Sequence, residues 1–179
     1  LRERHIDLLL GWVPATFAED DLVVETMFSD LRVVVAGPQS KWTKRKRLSL
    51  ADLANEAWIL PPPDTYPGMA IADLFREAGL GLPRAPITTL SIQLCCRLAA
   101  SGDFITTLPG TVVHFTGRAF SLKRLPVALP QKSEAMVAIV RLRGRTLSPA
   151  AERFIDCVRD VSKALASKAS DTTTLNFRR

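Results

Sequence analysis

Between Ser49 and Pro109 the sequence changes its hydrophobic period repeatedly, and this alternation limits the possible folds more than any other feature of the chain. Residues 58–60 (WIL) form a short apolar run that Pro61, Pro62 and Pro63 bring to an end. A helical spacing follows, with Pro67 in its first turn, Ile71, Leu74, Phe75 and Ala78 on one face, and Gly79 as its stop. Residues 87–90 again read as a strand. Ser91 then stands where it can cap a helix carrying Ile92, Cys95, Cys96 and Ala99, which Gly102 closes before a strand at 104–108 and Pro109. Strand, helix, strand in this rhythm is a βαβ unit, which requires a parallel sheet with helices on its faces.

The flanking segments extend the α/β pattern. Ile6 and the run Leu8, Leu9, Leu10 are continuously apolar, which predicts a buried strand in a parallel sheet. Two β-rich runs, VVETMF and LRVVVA, lie on either side of the polar Ser29 and Asp30 and end at Gly37 and Pro38. Ser49 followed by Asp52 has the spacing of a capping box, ahead of Leu50, Leu53, Ala54 and Ala57. Residues 135–142 predict one more strand, and Ser148 followed by Pro149 predicts a helix start. In that helix Phe154, Cys157, Val158, Val161 and Leu165 make one apolar stripe, expected to face a core. Residues 167–179 are polar, rich in Thr and end in two arginines, and are expected to be a disordered tail.

Composition excludes several functions. No apolar stretch approaches the ~20 residues of a membrane span, and no secretory signal pattern opens the chain. The three cysteines, two of them adjacent, do not form the even framework of a secreted disulfide scaffold, so a reducing cytoplasm is the expected compartment. The net charge of +6 is concentrated: the run KWTKRKR carries +5 and the terminal Arg178 and Arg179 carry +2, so the rest of the chain is close to neutral. A basic DNA-binding body is therefore not expected. His5 and His114 lack metal-ligand spacing, and no nucleophile elbow or glycine-rich phosphate loop is present, so neither metal, cofactor nor catalysis is expected. Cys95 and Cys96 read as buried small hydrophobes rather than a thiol switch.

What remains is a set of helix starts that follow strands, at 65–68, 90–92 and 107–111. Ligands of open α/β sheets bind outside the carboxyl ends of the strands, where free N–H groups and helix dipoles gather and suit a carboxylate or phosphate. Serine and threonine at such points also cap their own helices, whether or not a ligand binds.

The segments IDLLLG, VVETMFSDLRVVVAGPQS, SLADLANEAWILPPP, TTLSIQLCCRLAASGDFITTLPG and LSPAAERFIDCVRD, in this order, resemble the effector-binding domain of LysR-type transcriptional regulators. The likeness runs to about residue 166. It implies a type 2 periplasmic-binding-protein-like fold, with two α/β lobes joined by two crossing strands and a ligand cleft between them. Lobe I would comprise residues 1–38 and 127–166, and lobe II residues 39–126. Against the family pattern, the winged helix-turn-helix and the first strand of lobe I are missing, and Ser40, Lys41 and Trp42 replace the usual His-Pro-Leu.

The resemblance implies a cytoplasmic regulatory domain that senses a small polar or anionic metabolite. A free-standing solute-binding protein of the same fold is the alternative. The implied ligand contacts are Trp12, Val13 and Pro14, then Thr65 and Tyr66, Leu90 and Ser91, and Thr106, Thr107 and Pro109. The implied partners are a small-molecule effector and a second copy of the chain, with a tetramer in a full-length protein. DNA would be bound only through the absent winged helix-turn-helix, and no membrane contact is implied.

Overall fold

A computed structural model describes residues 1–14, 17–129 and 134–174. The chain divides into two compact units. Unit 1 is Leu1–Asp30 with Ala135–Arg179, and unit 2 is Leu31–Glu134.

Unit 2 is the predicted α/β body. Its strands are the second half of β2 (Leu22–Ala36), β3 (Trp58–Leu60), β4 (Ile87–Thr88), β5 (Ile105–Pro109) and β6 (Lys123–Arg124). β3 pairs in parallel with both β4 and β5, while β2 pairs antiparallel with β5 and β6. Alternation along the strands divides the core into two layers. Val34, Ala36, Trp58 and Leu60 pack against α1 (Leu50–Leu53) and α2 (Tyr66–Glu77), contributing Leu53, Ile71, Leu74 and Phe75. Val33, Val35 and Ile59 face the other way, onto Cys95, Cys96 and Ala99 of α3 (Ile92–Ala100). Helices on both faces explain why these strands are apolar throughout. α4 (Gly110–Thr116) follows β5 directly.

The local signals behave as expected. Asp52 and Ser49 form a full capping box, with Ser49 N donating to the Asp52 carboxylate at 2.8 Å and Asp52 N donating to Ser49 Oγ at 3.3 Å. α2 stops at Ala78 and Gly79, whose φ of 72° is the left-handed conformation that favours glycine. Ala78 is exposed, not on the buried face, because it is already the C-cap.

Unit 1 contains β1 (Leu8–Val13), the first half of β2, β7 (Glu134–Leu142) and α5 (Pro149–Thr174). Its core is Val13, Leu22, Ala138 and Val140, with Phe17, Val24 and Met136 packed around them. Charged groups tie its ends together. Arg159 of α5 donates to both oxygens of Glu25 on β2 at 2.7 and 2.8 Å, Arg143 donates to the carbonyls of Asp20 and Leu22, and Arg145 bonds Ile6 O and Asp7.

Four expectations for this unit and its border are corrected. VVETMF and LRVVVA are not separate strands: β2 runs unbroken through Ser29 and Asp30, since neither residue interrupts extended backbone. β1 is neither parallel nor buried. It pairs antiparallel with β7, Leu8 opposite Arg141 and Val13 opposite Met136, and Leu9 and Leu10 are exposed. Continuous apolarity fixes a strand but not its neighbour. The stripe of α5 is likewise turned: Phe154 is 47% and Val161 59% exposed and Cys157 is exposed, while Ile155 and Ser162 are buried. The helix lies against β2 through the side that carries Ile155 and the Arg159–Glu25 pair, which differs from its most apolar side. α5 continues to Thr174, past the start of the expected tail, because no Gly or Pro follows Pro149 within it. The remainder of that tail, 175–179, lies outside the described residues.

Candidate functional site

Because β3, β4 and β5 are mutually parallel, their carboxyl ends share one edge of unit 2, and the antiparallel β2 brings its Leu31 and Arg32 to that same edge. Arg32 is registered opposite Pro109. Four chain segments therefore meet there: 60–66 after β3, 88–91 after β4, the end of β5, and the middle of β2.

Each helix start at this edge is fixed by its own cap. Thr65 Oγ1 accepts from Gly68 N at 3.3 Å and donates to Pro62 O at 2.6 Å, so the hydroxyl holds both the proline turn and the first turn of α2. Gly68 is necessary there, since a Cβ at this position would sit 2.0 Å from Pro62 O. At α3, Ser91 Oγ accepts from Leu94 N at 3.3 Å, and Ser91 N donates to Thr89 Oγ1 at 3.0 Å. Leu90 between them is 57% exposed, an apolar side chain at the mouth of two polar turns.

The end of β5 separates its two threonines by strand alternation. Thr106 is 2% exposed and its hydroxyl donates to Ile59 O at 2.8 Å, which commits it to the sheet interior beside Cys95. Thr107 lies on the opposite face and accepts from Arg32 Nη1 at 3.5 Å. Tyr66 is half-buried. Burial pushes its phenol above the ordinary tyrosine value, and the positive charge of Arg32 pulls it the other way. Arg32 thus joins the two sides of this edge, hydrogen-bonded to the Thr107 hydroxyl and near enough to Tyr66 for its charge to act on the phenol.

Arg32 was not among the residues that sequence reasoning selected. Its signal is a cation immediately before the wholly buried run VVVA, where a charge is costly unless it has a task. In unit 1, Trp12 is half-exposed at 37%, Val13 is buried in the unit's own core, and Pro14 follows β1. The structure thus brings together Thr65, Tyr66, Leu90, Ser91, Thr107 and Pro109 at one edge of unit 2, while Thr106 is turned inward.

Comparison with known proteins bears on this arrangement. The LysR substrate binding domain family matches residues 1–163. The HTH-type transcriptional regulator GalR of Pseudomonas putida is 25% identical over 161 residues, 90% of this chain and 40% of the regulator. The HTH-type transcriptional regulator TdcA of Escherichia coli is 26% identical over 109 residues, 61% of this chain and 34% of the regulator. The chain therefore spans less than half the length of these relatives. Among solved structures, the Synechocystis PCC6803 CcmR regulatory domain in complex with 2-PG shares the fold with a TM-score of 0.75 at 21% identity, covering 90% of this chain and 76% of that one. The effector binding domain of QuiR in complex with shikimate does so with a TM-score of 0.71 at 19% identity, covering 92% and 75%.

Proposed function

Because the chain belongs to the LysR substrate binding domain family, we propose that it is the effector-sensing part of a transcriptional regulator, taking a small polar or anionic metabolite at the strand-end edge of unit 2. The observation that carries this reading is Arg32. A half-buried guanidinium at the mouth of a sheet, hydrogen-bonded to the Thr107 hydroxyl, places positive charge where a carboxylate or phosphate would be attracted. The capped starts of α2 and α3 add N–H groups and favourable dipole ends at the same edge.

The relatives support the assignment to transcription control, and the 2-PG and shikimate complexes of the structural neighbours support a small-molecule ligand. In this reading the chain binds its effector and does not transform it. Lobe I in this reading is 1–38 with 127–166 and lobe II is 39–126, and Trp12, Val13 and Pro14 of lobe I belong to the ligand contacts. The protein works in the cytoplasm as a homodimer, or a tetramer at full length, and reaches DNA through a winged helix-turn-helix outside this sequence. The exposed Phe154 and Val161 of α5 offer apolar surface for pairing of copies.

The test is a thermal-shift screen of sugars, sugar acids, aromatic acids and phosphorylated metabolites. A ligand at a hundred times its Kd adds about 2.7 kcal/mol, or roughly 5–10 °C for a chain of this size. The increment should shrink in Arg32→Gln and in Thr107→Val. Ser91→Ala loses about 0.5–2 kcal/mol from its cap even without ligand, so the increment is the quantity to compare. A hit whose increment is the same in all three variants overturns the site.

A further inference from the structure

Unit 2 carries a second basic feature that the strand-end edge does not use. A pocket of about 600 Å³ opens between the last turn of α4, the turn that follows it and the end of β2. His114, Arg118, Ser121 and Lys123 form its polar wall, and Leu122 and Pro38 contribute apolar surface.

The pocket lies away from the edge described above. Arg32 is opposite Pro109 and Ala36 is opposite Ile105, so Pro38, beyond Ala36, is at the other end of the sheet. The stretch from Arg32 to Ala36 alone spans ~13 Å of extended chain.

The walls are fixed. Lys123 and Arg124 are paired onto Ala36 and Val35 of β2. Ser121, with φ 55°, makes the turn between α4 and β6. The end of α4 and the turn after it are held by backbone bonds: Val113 O accepts from Gly117 N at 2.9 Å, Thr116 O from Phe120 N at 3.3 Å, Gly117 O from Leu122 N at 2.8 Å and Arg118 O from Ser121 N at 3.1 Å.

Among the described residues no carboxylate pairs with Arg118 or Lys123. Residues 104–133 contain no Asp or Glu. Two cations and an imidazole held around a concave space, with no anion of the chain's own, are complementary to a ligand that brings the negative charge. The volume falls within the range of small-molecule sites.

We propose that this pocket is a second ligand site of the chain, taking a small metabolite that presents a multiply charged oxyanion such as a phosphoryl group. Arg118 and Lys123 bind the oxyanion, and Ser121 and His114 supply further hydrogen bonds. The site stands independently of the strand-end edge.

The test is isothermal titration of the 179-residue chain with inorganic pyrophosphate in a low-chloride buffer. Saturable binding is expected, weakened about tenfold or more by Arg118→Gln with Lys123→Gln, since each removes a charge-assisted hydrogen bond. Lys44→Gln with Lys46→Gln lowers the net charge equally and should leave the binding intact, as should Arg32→Gln. Both target side chains are exposed, and circular dichroism with the two single variants separates lost binding from lost folding. Absence of saturable binding overturns the proposal, as does equal weakening in the Lys44/Lys46 variant. Displacement of pyrophosphate by a short DNA duplex at physiological salt, in a manner that depends on Arg118, also overturns it and assigns the surface to nucleic acid.

Discussion

Trp58 shows how a single side chain serves two demands of unit 2. Its ring is fully buried and meets Phe75 edge-on at 5.4 Å, and its indole N–H donates to Leu53 O at 2.9 Å across the core. Trp58→Ala should cost about 3–5 kcal/mol, read as a lower urea midpoint at unchanged slope. Trp58→Phe keeps most of the apolar area but strands the Leu53 carbonyl, and should cost about 1–3 kcal/mol. The thiols divide in the same way by environment. Burial pushes Cys95 and Cys96 above the ordinary thiol value, whereas Cys157 is exposed. One thiol should therefore react quickly with a disulfide reagent in the folded chain and the other two only on unfolding. Fast modification of all three would contradict the buried assignment. The small buried character of the cysteine pair was legible in the sequence because helical spacing alone places both on the apolar side. Arg32 was not, because its value comes from a strand partner 77 positions away in the chain, at Pro109.

At the scale of elements, the helix starts were the most legible features and the packing directions the least. The Ser49–Asp52 box, the Thr65 cap and the Ser91 cap involve residues within three or four positions of one another, so their chemistry is written locally. The buried side of α5 depends instead on which neighbour covers it, and the chain's most apolar stripe gave the wrong side. The Arg159–Glu25 pair ties α5 to β2, and it has a pH signature. Hydrogen bonding and the charge of Arg159 hold the Glu25 carboxyl below its ordinary value of 4.5. A depressed folded pKa contributes stability that is complete above pH 4.5 and is lost as pH falls through the folded value. Glu25→Gln should therefore flatten the acid limb of a melting-temperature profile below about pH 4.5. An unchanged acid limb would show that the pair contributes nothing. Gly68→Ala tests the first turn of α2, where the new Cβ must displace Pro62 or the helix start. It should destabilise by roughly 1–3 kcal/mol, as overpacking does, and should also lower any ligand increment.

For the whole molecule, the α/β character and the order of α1, β3, α2, α3 and β5 in unit 2 followed from periodicity, because each of these is buried on a face that its own spacing defines, whereas α4 and β6, which bury none of their residues, did not. The antiparallel pairing of β1 with β7 did not follow, since nothing local in LLLGWV or EAMVAIVRL specifies the other. Charge distribution gives a prediction at this scale. Outside residues 41–47 and the C-terminal arginines the sequence is close to neutral, so the chain should bind duplex DNA weakly, without sequence preference and with steep loss on adding salt. Nanomolar, sequence-selective binding at physiological salt would contradict this.

The division of unit 1 into Leu1–Asp30 and Ala135–Arg179 sets an order of events during synthesis. Unit 2 is continuous, and all of its strands and helices have been made before β7 leaves the ribosome. Among the strands of this sequence β1 is made first, and its partner β7 last. Until β7 is made, β1 lacks the strand it pairs with, which is a condition under which nascent chains associate wrongly. The middle of the chain can fold as it emerges, and the two ends must wait for each other.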